Sequence, residues 1–393
     1  MSWEPIIQEI VYGLTGWKSS VEDVQDGPLI FEARTYQGAV DKMEDMFLSR
    51  KWSDGLPLVP PTRDRVDWLL TGTDLDPHET LTRDFGPRFC PIRVRDVAVN
   101  AAMAGARPEY MPVILATIKL LGSKDGLEVM YPLTQSQHSF APVIIINGPV
   151  ARELDINGSI GLMGPGNRAN ATIGRSISLL LINGAGAYAG QGGLPTTHSL
   201  PGRYTWCFAE NEENSPWEPL HVELGHEHPE STVTVMGGRG TQALMVSPPA
   251  TKILNSIKRA LEGVTVTRYP IPWDQLLILS PEHARVLVRS GWSKAEIKRY
   301  LHENASISEE EAVAARSTLS KEKGEYPEKG SMIGRPVPVI AKPDHLVIIV
   351  AGATGANTST FIPSIMKRVT GQIDPFKPAN WKELLEEGRK GAR

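Results

Sequence analysis

His345-Leu346-Val347-Ile348-Ile349-Val350 runs directly into Ala351-Gly352-Ala353-Thr354-Gly355-Ala356-Asn357-Thr358-Ser359-Thr360. The first part is a short apolar run rich in β-branched residues, which predicts a buried strand rather than a helix. Open α/β sheets bind ligands beyond the carboxyl ends of their strands. A small, hydroxyl-bearing glycine loop in that position makes Gly352, Thr354 and Asn357 candidate substrate-binding residues. A plain strand-to-helix turn would use the same glycines.

Working outward, residues 140–150 read as a second buried strand ending in Asn147-Gly148-Pro149. Shorter strands are predicted at 203–209, 233–236 and 276–279. Helical spacing of apolar residues marks 36–52, 63–70, 94–103, 107–121, 248–261, 281–290, 292–302 and a tail helix at 381–389. Ser293 and Glu296 have the spacing of a capping box. The pattern predicts an α/β fold with a mixed or parallel sheet flanked by helices, in two subdomains. The expected division is an N-terminal arm and helix (1–50), an α/β domain (51–245) and a smaller α/β domain (246–393), with 308–329 charged and exposed.

Composition excludes several classes of function. The 393 residues are 41% hydrophobic and 22% charged, which argues against disorder or a coiled coil. Lys plus Arg (41) nearly balances Asp plus Glu (45), so no global electrostatic footprint for nucleic acid is present. Two cysteines, Cys90 and Cys207, rule out a disulfide scaffold or a multi-cysteine zinc module. No apolar run reaches membrane-spanning length, and no basic region precedes an apolar stretch at the start. The expectation is a soluble cytoplasmic protein with no membrane or nucleic-acid partner.

Two further stretches carry chemistry. Residues 157–193 open with a glycine-rich loop that feeds a helix expected to begin near Ala171, with Asn170 as its N-cap and Gly184 as its stop. Free N–H groups at a helix start, with arginines nearby, can hold a carboxylate or phosphate. Asn167, Arg168, Asn170, Thr172 and Arg175 are therefore candidates for binding a small anionic substrate. The spacing fits neither a Walker loop nor a dinucleotide fingerprint.

The second stretch runs from Glu210 to His228, framed by Pro216 and Pro219. Carboxylate plus imidazole is the material of general acid–base catalysis, and Glu210, Glu212, Glu213 and His221 are the catalytic candidates. Read as extended chain, His221 and Glu223 share one face, and so do His226 and His228. Those four are candidate ligands for a divalent metal. The helical metalloprotease motif is rejected, because His221 and His226 are five apart with Gly225 between them. A solvated acidic loop is the competing reading.

The strings at 54–62, 97–111, 164–175, 208–223, 281–284 and 350–355 resemble a bacterial family whose members are encoded beside, or fused to, UGSC-type (seleno)proteins. The resemblance covers most of the chain after residue 50. It implies a (seleno)thiol protein as a hetero-complex partner and carries no established mechanism. Where a cysteine is expected in Ala-Gly-x-Arg-Pro-Glu-Tyr, this chain has Ala106, which speaks against a thiol mechanism.

Three functions are consistent with these features. One is an acid–base enzyme for a small anionic organic substrate, hydrolytic or cleaving a carbon–heteroatom bond, with or without a metal. The second is a redox or substrate-binding subunit of a (seleno)thiol partner. The third is a ligand-binding protein, and a homo-oligomer is compatible with each.

Overall fold

The computed structural model describes residues 29–190, 194, 196–265, 273–308, 310–311 and 336–390. Most of the expected N-terminal arm and most of the charged stretch at 308–329 lie outside the described residues. The fold is α/β, with mixed parallel and antiparallel sheets and flanking helices.

Two compact units are present, and neither is a continuous piece of chain. The first comprises Met1–Phe140, Thr172–Thr205 and Pro375–Arg393; the second comprises Ala141–Ala171 and Trp206–Asp374. The linear division at 50 and 245 is corrected accordingly. Residue 245 lies inside the second unit, and the tail helix belongs to the first.

The first unit is mainly helical: α1 (Tyr36–Ser49), α2 (Arg63–Leu70), α3 (Val94–Ala104), α4 (Met111–Leu121) and α5 (Gly126–Gln135), with a two-stranded antiparallel ribbon of β1 (Thr80–Phe85) and β2 (Cys90–Arg93). The expected helix over 107–121 is split into a 3-10 turn, Pro108–Tyr110, and then α4. Met43 and Phe47 of α1 pack with Leu58, Met103, Ala104 and Leu179. Phe47 meets both Phe31 and Trp52 edge to face.

The second unit holds two four-stranded sheets. Its strands are β3 (Ala141–Asn147), β4 (Cys207–Ala209), β5 (Thr232–Gly238), β6 (Gln242–Met245), β7 (Asp274–Leu279), the short pair β8 (Ser306–Ile307) and β9 (Val337–Pro338), then β10 (Leu346–Val350), β11 (Thr358–Met366) and β12 (Val369–Gln372). One sheet has the order β12-β5-β3-β4, in which β3 and β4 are parallel and the other neighbours antiparallel. The other has the order β10-β7-β11-β6, with β10 and β7 parallel.

Both expected buried strands are present, as β3 and β10, and every residue of each is buried. Between them lie α6 (Pro149–Glu153), α7 (Arg168–Asn183), α8 (Leu220–Glu223), α9 (Ala250–Thr265), α10 (Pro281–Arg289) and α11 (Lys294–Asn304); α12 (Trp381–Lys390) is the tail helix.

The core of the second unit follows from two periodicities. Leu277 and Leu279 alternate on β7, and Leu346, Ile348 and Val350 alternate on β10. Ile253, Leu254, Ile257 and Leu261 recur at helical spacing on α9, and all of these residues join one cluster with Ile297 and Leu301 of α11. Burying each such side chain contributes roughly 1.5–3 kcal/mol. The Ser293 side chain caps α11 and Glu296 completes the box, as the sequence predicts. Among the described residues, no helix is long and apolar enough to cross a membrane.

Candidate functional site

Three stretches distant in sequence meet at one end of β3, β4 and β10, all within the second unit. Glu210, Asn211 and Glu212 follow β4; Asn147 ends β3 and Gly148 follows it; and Ala351 and Gly352 follow β10. The Asn211 N–H donates to the Val350 carbonyl at 2.8 Å. The Gly352 N–H donates to the Gly158 carbonyl at 2.8 Å, and the Ala209 N–H to the Asn157 carbonyl at 3.2 Å. Gly158 permits this approach, because a Cβ there would lie 2.4 Å from the Ala209 carbonyl oxygen. Both glycine loops therefore reach the base of the glutamate stretch.

Glu210 is fully buried and works as a hub. Its Oε2 accepts from the Asn147 amide at 2.7 Å and from the Leu220 N–H at 2.8 Å, and its Oε1 accepts from the Val350 N–H at 3.4 Å. Burial pushes this carboxyl above its ordinary range, opposed by Lys294, the Leu220 N–H and the Asn147 amide.

Glu212 is held from the other side of Asn147. Its Oε1 accepts from Asn147 Nδ2 at 2.9 Å and from the Gly148 N–H at 2.8 Å. Gly148 sits at φ +84, where a Cβ would also strike the Glu230 carbonyl oxygen at 2.1 Å, so only glycine presents that N–H without strain.

His221 has no exposed surface, and its Nδ1 lies 3.7 Å from Glu212 Oε1. Neither ring nitrogen meets hydrogen-bond geometry with a protein group, although the His228 backbone lies near enough to favour the charged ring. Burial holds the imidazole below the ordinary histidine range, with the Glu212 carboxylate pulling the other way. A neutral imidazole beside an anchored carboxylate is equipped to take up a proton and to be stabilised once charged.

The expected extended geometry is corrected. Pro219 is the N-cap of α8, so His221 and Glu223 lie on a helical turn, where positions two apart do not share a face. The histidines go to three different glutamates: His221 to Glu212, His226 Nδ1 to Glu230 at 3.1 Å, and His228 Nε2 to Glu218 at 2.9 Å. Glu223 pairs with the buried Lys294 at 3.2 Å and also with Lys298. Burial alone would raise the Glu223 carboxyl, but the Lys298 and Lys294 ammonium groups outweigh it and hold it below its ordinary range. The metal quartet His221, Glu223, His226 and His228 is therefore not assembled. Among the described residues, no group of three His, Cys, Asp or Glu side chains could hold a metal ion.

Other candidates are also re-placed. Arg175 is spent within the first unit: it pairs with Asp54 through Nε at 2.8 Å and Nη2 at 2.9 Å, and donates to the Leu56 and Pro57 carbonyls. It fastens the Asp54-Gly55-Leu56-Pro57 loop and is withdrawn as a substrate ligand.

Helix α7 begins at Arg168, and the cap is Asn167, whose Oδ1 accepts from the Asn170 N–H at 2.9 Å. The Asn170 side chain instead staples the loop, accepting from the Asn157 N–H and donating to the Asn157 and Leu162 carbonyls. Arg168 is exposed at the helix start and Thr172 is half-buried. Thr354 and Asn357 are exposed beyond β10, and the Asn357 carbonyl accepts from the Val246 N–H. Glu213 points outward and pairs with the exposed Arg152 at 3.5 Å.

The strand expected over 203–209 is only Cys207–Ala209, because Pro201–Arg203 form a 3-10 turn. Complete burial pushes the Cys207 thiol far above its ordinary range, which leaves no reactive thiolate there.

Sequence reading missed Asn147, Gly148, Lys294 and Lys298. The one available signal was a polar Asn147 closing an otherwise apolar strand. No family model, curated protein or solved structure matches the chain.

Proposed function

We propose that the chain is an enzyme that performs general acid–base chemistry on a small organic substrate, hydrolysing it or cleaving a carbon–heteroatom bond, with His221 and Glu212 as the working pair. One observation carries this reading: a fully buried histidine with both ring nitrogens unpaired, set against a carboxylate that is itself fixed by two donors. Each buried polar atom left wholly unpaired costs roughly 1–3 kcal/mol, so a buried ring without protein partners calls for a bound group or a catalytic role. His221 takes the proton, Glu212 stabilises the resulting imidazolium, and Asn147 and Gly148 keep Glu212 oriented. Glu210 is a positioning residue, since it ties the ends of β3 and β10 to the start of α8. An acid group on the substrate would be received by Arg168 at the start of α7, beside the loop that reaches Ala209.

The test is a thermal-shift screen of small carboxylic and phosphoric acids, followed by product analysis on the acids that bind. A bound acid at a hundredfold excess over Kd stabilises by about 2.7 kcal/mol. His221→Gln is expected to retain binding and lose turnover about a hundredfold or more. Undiminished turnover in that variant would overturn the assignment.

A further inference from the structure

Among the described residues of the second unit, five buried side-chain atoms find no hydrogen-bond partner within the protein: Asn147 Oδ1, Thr232 Oγ1, both ring nitrogens of His221, and His345 Nδ1. Asn147, Thr232 and His221 each have no exposed surface. Their placement is constrained by independent contacts. The Asn147 amide gives its hydrogens to Glu210 Oε2 and Glu212 Oε1, which fixes the amide orientation and leaves Oδ1 as an acceptor facing elsewhere. Thr232 is the direct partner of Asn147 across the antiparallel β3–β5 pair. Residues opposite each other in such a pair project from the same face, with Cβ atoms about 4.5–5.5 Å apart. His221 Nδ1 and Asn147 Nδ2 lie beside the same oxygen, Glu212 Oε1, at 3.7 Å and 2.9 Å.

We propose that Asn147 Oδ1, Thr232 Oγ1 and the His221 ring together hold one internal water molecule beside Glu212. The chemistry of the three groups matches a water and little else. Oδ1 accepts one of its hydrogens, the neutral imidazole accepts the other, and the threonine hydroxyl donates to its oxygen. Buried waters typically make about three such bonds. The inference deepens the proposed function: a water whose proton already points at His221 makes hydrolysis or hydration, rather than elimination, the reaction this site is built for.

A high-resolution crystal structure of the full chain and its Thr232→Val variant tests this. The wild type should show a solvent oxygen within about 3.2 Å of Asn147 Oδ1, Thr232 Oγ1 and a ring nitrogen of His221. Thr232→Val should lose that oxygen and melt about 2 °C lower, whereas Thr232→Ser should keep both. Direct hydrogen bonds among the three side chains, with no solvent oxygen between them, would overturn the proposal. So would a rise in Tm for Thr232→Val, because removing a dry, unpaired hydroxyl stabilises a protein. A dry site with His221-dependent turnover would sink this inference and leave the acid–base reading intact. A hydrated site with undiminished turnover in His221→Gln would do the reverse.

Discussion

His221 and His283 both lie in the second unit and both have no exposed surface. Around His283 every group is matched. Its Nε2 lies 2.8 Å from the Val246 carbonyl, which can only accept, so that nitrogen carries the hydrogen. Nδ1 then accepts from the Ser359 hydroxyl at 2.7 Å, and Ser359 Oγ accepts in turn from the Ser280 N–H at 3.1 Å. Ser280 also caps α10, its Oγ accepting from the His283 N–H. This is a closed polar network that fastens β7, β11 and α10 to the residue after β6. His221 has the same burial and none of the closure. Burial alone does not separate the two histidines; whether protein groups fill the bonding capacity of the ring does.

The largest expected effect comes from making the same substitution at both positions. His283→Leu keeps the volume but strands the Ser359 hydroxyl and the Val246 carbonyl, at roughly 1–3 kcal/mol each, so a loss of about 2–5 kcal/mol is expected. His221→Leu removes two nitrogens with no protein partner and is expected to change stability by about 1 kcal/mol or less in either direction. Urea denaturation midpoints of the two variants measure this directly. A reversed order would break the comparison, because the fold would then depend more on His221 than on the closed network around His283.

The contrast also shows what could be read in advance. β3 and β10 were legible because a run such as Val143–Ile146 has only one economical place, a buried strand. α11 was legible through Ser293 and Glu296, a local pair that acts within one turn. β11 was not, because Thr358, Ser359 and Thr360 continue the small, hydroxyl-rich loop before them, and only the fold brings Ser359 to His283.

The site divides in the same way. Glu210, Glu212 and His221 were legible as residue types. What Asn147 does depends on a register with Thr232 that no local pattern encodes. Arg175 was misread because its partner, Asp54, lies 121 residues earlier. Glu223 was misread because its two lysines follow at a separation of more than 70 residues.

A second way to sharpen the comparison is pH. Burial lowers the proton affinity of both imidazoles, with Glu212 opposing at His221, and the Val246 carbonyl and Glu282 opposing at His283. In the unfolded chain each histidine titrates near 6.5, so the unfolded state binds more protons between that value and the depressed folded value. The stability each site contributes is therefore fully present above about pH 6.5 and is lost as pH falls through the folded pKa. Glu210 acts with the opposite sign, since its raised carboxyl weakens the fold as pH rises through its folded pKa. Each His→Leu variant should flatten the acid limb below about pH 6.5, and because the sites share no partner the two contributions should add in the double variant. An acid limb unchanged in both variants would show that neither imidazole is held neutral by the fold.

The smallest effect separates two adjacent glutamates. Glu212 and Glu213 are alike as sequence and opposite as structure. Glu212 closes the bonds of Asn147 and Gly148, while Glu213 is 69% exposed and reaches only Arg152, itself 71% exposed, at 3.5 Å. An exposed pair of this kind contributes under about 0.5 kcal/mol, whereas removing Glu212 leaves a buried amide hydrogen and a backbone N–H unmatched, at roughly 1–3 kcal/mol. Glu213→Ala should therefore denature at the wild-type urea midpoint, with Glu212→Ala well below it. Equal losses would mean that the 3-10 turn carrying both residues (Glu212–Asn214) is held as a unit, and that the anchoring of Glu212 by Asn147 is a consequence of that turn rather than its cause.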